Sequence, residues 1–412
     1  MATSTLHYPA ARRMLAGKAI SGAGGWMQTT AASWYVLQET GQATAVGFLV
    51  AVALLPAVLL NPIGGALSDR YSPVTLQKWL SLLASIGPLL IAGLFYFGDL
   101  SVPVLYVLIF LGAIPRALAS PLMTQILPMS VPPELRASIL ANGAVTYNIA
   151  RTLGPLIGGS VGIGWAFLLN GLSYVALAVI MQLTPLREEQ AAVKANRKKE
   201  SGSEQDEAYK KRVADAWSFP FVKALFLAAV MFYVASGAVH QLLAAVADLN
   251  VDTAHFLGVL YAAIAVGGIA ANPFIKRYVN GGGNKTDLLY FSLIGAGPTI
   301  ALLGVSRELW SDVLILFLLG GFGEAMWVGS EQSLTLDLPR RITGSVLGIF
   351  FAAITLATVG GALLVSWLFE LVGVRTGLVL LGVVAFGYGL FQVWWLRRTE
   401  PEVVATKPKE ET

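Results

Sequence analysis

The sequence predicts an all-α membrane protein, with twelve transmembrane helices arranged as two pseudo-symmetric six-helix bundles. Three observations carry that prediction. Apolar runs recur about twelve times along the 412 residues, each near the roughly 20 residues needed to cross ~30 Å of hydrocarbon. One long polar stretch, 187–215, parts six runs from six. A shift of about 207 residues superposes features of one half on the other.

Composition agrees. Hydrophobic residues make up 56% of the chain and charged residues 13%, where a soluble domain carries about 25% charged. A buried soluble core would have to enclose a dozen apolar helices, which 412 residues cannot do. Cysteine is absent and the three histidines, His7, His240 and His255, lie far apart, so no disulfide, metal site or cofactor is expected.

The runs lie near 14–37, 44–67, 75–97, 103–127, 138–160 and 163–183, then near 218–245, 256–275, 287–305, 311–337, 344–370 and 374–396. This divides the chain into an N-terminal bundle (1–186), a cytoplasmic linker (187–215), a C-terminal bundle (216–398) and a tail (399–412). The linker's mixed charge reads as a solvated tether, with a regulatory element as the alternative.

The first run follows Arg12, Arg13 and Lys18 as a signal peptide would, but it is too long and has no small-residue cleavage site, so it reads as helix 1. It carries Trp26, Gln28 and Trp34. The second bends at Asn61-Pro62 and ends on Asp69-Arg70. On the fourth, Arg116, Ser120 and Thr124 form an i, i+4, i+8 polar stripe. The fifth carries Tyr147, Asn148 and Arg151, followed by glycines four apart, Gly154 and Gly158, which suit close helix packing. The seventh holds Tyr233 and, near its outer end, His240 and Gln241. Asn272-Pro273 marks a bend in the eighth. On the tenth, Glu324 and Glu331 are seven residues apart and share a face with Trp327 between them.

Ionisable residues at membrane depth cost several kcal/mol unless paired or hydrated. Arg116 and Arg151 sit about 12 residues from the nearer helix end, or ~18 Å, which is more than a side chain can snorkel. The shift of about 207 places Thr124 on Glu331 and Ser120 on Trp327, as expected for two polar walls of one cavity. Two readings stand: a substrate or proton pathway through these residues, or structural ion pairs among Arg116, Arg151 and Glu324. Trp26, Gln28, Trp34, Asn148, Tyr233 and His240 are secondary cavity candidates, each equally explained by packing.

About 23 of the 28 Lys and Arg fall on one side of this topology, against Arg307 and Arg375 on the other. The positive-inside rule then puts both termini in the cytoplasm, and the basic excess needs no nucleic-acid partner.

The segment Gly64-Gly65-Ala66-Leu67-Ser68-Asp69-Arg70-Tyr71-Ser72-Pro73 resembles the major facilitator signature G-x-L-x-D-R-x-G-R-[KR] at Gly65, Leu67, Asp69 and Arg70. It departs at Ser72, Pro73 and Val74, losing the second glycine and the basic pair. The resemblance implies that Gly65, Asp69 and Arg70 form a latch between cytoplasmic helix ends. The run Gly154-Pro155-x-x-Gly158-Gly159 is similar to the helix 5 antiporter motif of that superfamily's exporters. Residues 20–40, 116–128, 141–159 and 332–348 look like the branch with enterobactin-type siderophore exporters and macrolide efflux pumps. That branch often has an aspartate before the helix 1 tryptophan; here Gly25 precedes Trp26.

The resemblance implies the major facilitator fold and a monomeric exporter in the cytoplasmic membrane. Its partners would be a small organic or amphipathic substrate, protons and membrane lipid. Glu324 and Glu331 are the remaining candidate proton carriers. A lysophospholipid transporter, an uncoupled facilitator and a transport-inactive sensor or scaffold are the alternatives. No phosphate-binding glycine loop or nucleophile elbow appears, so an enzyme is not expected.

Overall fold

The computed structural model describes residues 5–184, 217, 220–250, 254–336 and 340–405, in which all regular structure is helical. The predicted linker 187–215 lies outside the described residues. The long helices are α1 (Pro9–Thr40), α2 (Ala43–Arg70), α3 (Pro73–Phe97), α4 (Val102–Ala119), α5 (Arg136–Val161) and α6 (Ile163–Leu183), then α7 (Pro220–Phe232), α8 (Ala254–Asn280), α9 (Lys285–Val305), α10 (Leu309–Leu336), α11 (Arg340–Val372) and α12 (Val374–Ala405).

Ten helical segments among the described residues are long and apolar enough to cross a membrane. The other two of the expected twelve, α1 (32 residues) and α5 (26 residues), are long enough to cross but fall short in apolar character. The reason is visible in α1, where every residue from Thr30 to Leu37 is buried. A helix wrapped by protein on all sides need not be apolar against lipid, so it can carry Thr30 and Ser33.

Among the described residues two helices depart from a uniform α-helix. The expected run 103–127 breaks after Ala119, because Pro121 has no N–H to continue the ladder; it resumes as Leu122–Ile126 and tightens into a 3₁₀ turn, Leu127–Ser130. The expected run 218–245 passes from α7 into a π-helical turn, Tyr233–Gly237, then short α segments Ala238–Gln241 and Leu243–Ala247. π turns inside helices collect at functional sites.

The chain gathers into two compact units: Met1–Lys199 with Leu243–Ala262, and Glu200–Leu242 with Ala263–Thr412. Residues 243–262 thus group with the N-terminal helices rather than with the rest of the second half.

In the first unit α1 packs on α5 and α6, and α3 on α6 and α4. An apolar core of Met14, Leu80, Leu127, Ile139 and Met181 ties the N-terminal end of α1 to the elements around it. In the second unit α9 packs on α12 and α10, as α3 does on α6 and α4. Gly361 of α11 meets the backbone of Val234, as Gly154 of α5 meets that of Ala23. Gly361 and Gly154 are 207 positions apart, the offset read from the sequence. The fifth and sixth helices of each half are joined by one left-handed glycine, Gly162 (φ 85°) and Gly373 (φ 82°). A side chain at either turn would be strained, so glycine makes the tight reversal possible.

Candidate functional site

In the first unit the helix 5 motif works as a two-sided seam. Gly154 and Gly158 press on α1: an added Cβ would lie 2.6 Å from the Trp26 Cβ and 2.7 Å from the Met27 Cα, respectively. One step round the helix, Gly159 lies against the carbonyl of Ala254 and Pro155 against Gly258, both on the first turns of α8. Small residues are needed on both faces because backbone meets backbone on both. At the end of the seam the Ser160 hydroxyl donates to the Leu156 carbonyl (2.7 Å), so it accepts from His255 Nδ1 at 2.9 Å.

This seam sets the position of Trp26 and Arg151. The Arg151 guanidinium carbon lies 5.8 Å from the centroid of the Trp26 ring. Buried Tyr261 also neighbours that ring, with centroids 6.4 Å apart. Arg151 is half-buried. A guanidinium over an indole has its charge stabilised by the ring, and its planar fork has the shape that meets an anionic group.

The α4 stripe is less connected. Arg116 is half-buried, Ser120 and Thr124 are exposed, and the Thr124 hydroxyl turns back to the Pro121 carbonyl at 2.8 Å. Gln28 points to α6, where Asn170 Nδ2 donates to its Oε1 at 2.5 Å and both residues are buried. Trp34 is buried, and Asn148 is half-buried on α5.

Of the expected latch, the backbone of α2 runs to Arg70, and Tyr71 N–H closes the helix on the Leu67 carbonyl at 2.9 Å. The surroundings of Gly65 and the side chains of Asp69 and Arg70 lie outside the described residues. Beside them Gly64 meets the Leu118 carbonyl of α4, and Gln125 Nε2 donates to the buried Ser68 hydroxyl at 2.9 Å.

In the second unit, Glu324 of α10 is half-buried and accepts from Asn272 Nδ2 of α8 at 2.7 Å. The position read as a bend, Asn272-Pro273, therefore also supplies the carboxylate's hydrogen-bond donor. Trp327 stacks on Phe351 of α11, with centroids 5.4 Å apart and planes 16° from parallel. The exposed Glu331 lies one turn further on. Tyr233 opens the π turn, packed edge-on against Phe232 at 5.5 Å, and His240 is half-buried beyond it. Thus Glu324, Trp327 and Glu331 do share a face, bordered by Asn272 and Phe351. Asn170, Asn272, Tyr261 and Phe351 are the neighbours that sequence reasoning did not assign to the site. Only Asn272 carried a signal, as a polar residue before a proline inside an apolar run.

Comparison with known proteins concerns the chain as a whole. A family model described as transmembrane secretion effector matches residues 2–408. The multidrug resistance efflux pump PmrA of Streptococcus pneumoniae is 30% identical over 151 residues, 35% of each chain. The staphyloferrin A transporter of Staphylococcus aureus is 27% identical over 145 residues, 34% of this chain and 35% of that one. The alignment spans about a third of those relatives. A peptide transporter solved in complex with sulfate shares the fold, with a TM-score of 0.74 at 15% identity over 96% of this chain and 95% of that one.

Proposed function

Because the chain belongs to the transmembrane secretion effector family of major facilitator transporters, we propose that it exports a small organic or amphipathic molecule across the cytoplasmic membrane, by alternating access and in exchange for protons. The family match supports transport, and its two partial relatives, an efflux pump and a siderophore transporter by name, support export. The observation that carries proton exchange is the pairing of Glu324 with Asn272. An arginine partner would hold a carboxyl in its ionised form. A neutral amide supports both forms, since the carboxyl keeps an acceptor oxygen for the Asn272 donor whether or not it holds a proton. Glu324 is therefore assigned the coupling role, with Glu331 as the exposed relay beside it.

Each taken by itself, the Arg151–Trp26 pair suits an anionic group on an apolar body and the acidic face of α10 suits a cationic one. One observation favours a second reading: Gly25 stands where the exporter branch often has a carboxylate, which suits an uncoupled facilitator.

Inverted membrane vesicles separate the two. Given an imposed proton gradient, wild-type vesicles are expected to accumulate a substrate from a panel of amphipathic cations, siderophores and lysolipids above its equilibrium level. Equilibration without accumulation would select the facilitator. No movement of any compound in the panel would favour the transport-inactive reading.

A further inference from the structure

Beside the acidic face of α10 lies a second feature that transport does not require. Within the second unit α8, α9 and α10 enclose a lateral groove of about 550 Å³, within the size range of small-molecule sites. Its floor is made of small residues, Ala271, Gly321 and Ala325 among them, and Phe274 and Phe291 stand along it. Phe274 is 76% and Phe291 63% exposed, so in a membrane-spanning bundle the groove opens to lipid. It is not the acidic site seen from behind. Gly321 and Ala325 lie about 60° and 100° round the helix from Glu324, both to the same side, and Glu324 does not line the groove.

We propose that this groove binds one acyl chain of a zwitterionic phospholipid, with the lipid's ammonium at Asp287 and its phosphate at Arg277. Length is the first argument. The groove runs along α8 from Gly267 to Tyr278, ~16 Å at the helical rise, which is about half of the ~30 Å hydrocarbon core and so one leaflet. Closure is the second. At the inner end α8 and α10 touch backbone to backbone, Gly267 against the Phe317 carbonyl and Gly320 against that of Ile264, so the groove stops near mid-membrane where an acyl chain stops. Charge points the same way. The lining is apolar except at the opposite end, where Tyr278 donates to Asp287 at 2.8 Å. Exposed Arg277 adjoins Tyr278. A carboxylate at the mouth, with an exposed arginine next to Tyr278 in the sequence, matches a head group with both charges better than an anionic one.

The test uses the full chain in proteoliposomes of mixed phosphatidylethanolamine and phosphatidylglycerol. Either lipid is added in trace with a photoreactive diazirine on its acyl chain, and labelled peptides are mapped. The ethanolamine probe is expected to label the segments carrying Phe274 and Phe291 about fivefold more than the glycerol probe does, the scale of one exposed charge pair. Asp287→Asn should bring that ratio close to one without moving the label. Ala271→Phe should displace it from the groove. Equal labelling by the two probes in wild type would overturn the proposal. So would a preference for the glycerol probe, or label spread evenly over the lipid-facing helices.

Discussion

Glu324 and Gln28 are both polar side chains on membrane helices, and their neighbours give them different work. Gln28 is buried against Asn170, and each amide is the other's partner across α1 and α6. Removing one partner strands the other, at a cost of about 1–3 kcal/mol, whereas replacing both with apolar groups is close to neutral. Gln28→Leu is therefore expected to lower the melting temperature in detergent, and Gln28→Leu with Asn170→Leu to recover most of the loss. A double variant as unstable as the sum of the singles would show that the two amides act independently. Gln28 was legible as a polar residue on helix 1. Its partner was not, because a lone Asn in an apolar run gives no clue to which helix it faces. Glu324 was legible as a costly charge at membrane depth, while its pairing with a neutral amide depends on how α8 and α10 cross.

At the scale of the helix, the seam on α5 makes a prediction that separates packing from propensity. Ala favours a helix over Gly by roughly 0.5–1 kcal/mol. At Gly93 of α3 an added Cβ meets nothing within 4 Å, so Gly93→Ala should stabilise by about that amount. At Gly158 the same methyl would lie 2.7 Å from the Met27 Cα. There overpacking of about 1–3 kcal/mol outweighs the propensity gain. Thermal melts of the two variants should move in opposite directions, and a stabilised Gly158→Ala would show that α5 and α1 are not in backbone contact. The glycines of α5 were readable as a seam from their spacing. That Pro155 and Gly159 face the start of α8 was not, since spacing alone does not name the opposing helix. The π turn at Tyr233–Gly237 was equally hidden, because an apolar run looks the same whether its bonds close four or five residues back.

For the whole molecule the duplication was the most legible property. The offset of 207 found in the sequence joins Gly154 to Gly361, and the two glycines meet matching helices. Less legible was where the chain divides. The linker marks a boundary in composition, yet residues 243–262 group with the N-terminal helices, since grouping follows packing and not sequence order. The absence of cysteine allows a clean test of topology, because any introduced thiol is unique. Cysteines replacing Gln42 and Arg307 should react with an impermeant maleimide from outside intact cells. Those replacing Tyr71 and Lys276 should react only after the membrane is opened. The reverse pattern would put the basic loops outside, against the positive-inside rule.

Proton-coupled export is the central claim, and proteoliposomes loaded with a pH-sensitive dye test it most directly. Substrate from the active panel would be added to vesicles holding wild type, Glu324→Gln or Glu331→Gln. Wild type is expected to show substrate-triggered proton movement, reduced about tenfold or more in Glu324→Gln, with substrate still exchanged across the membrane by that variant. Substrate transport by all three proteins with no proton movement in any of them would contradict it and leave a facilitator.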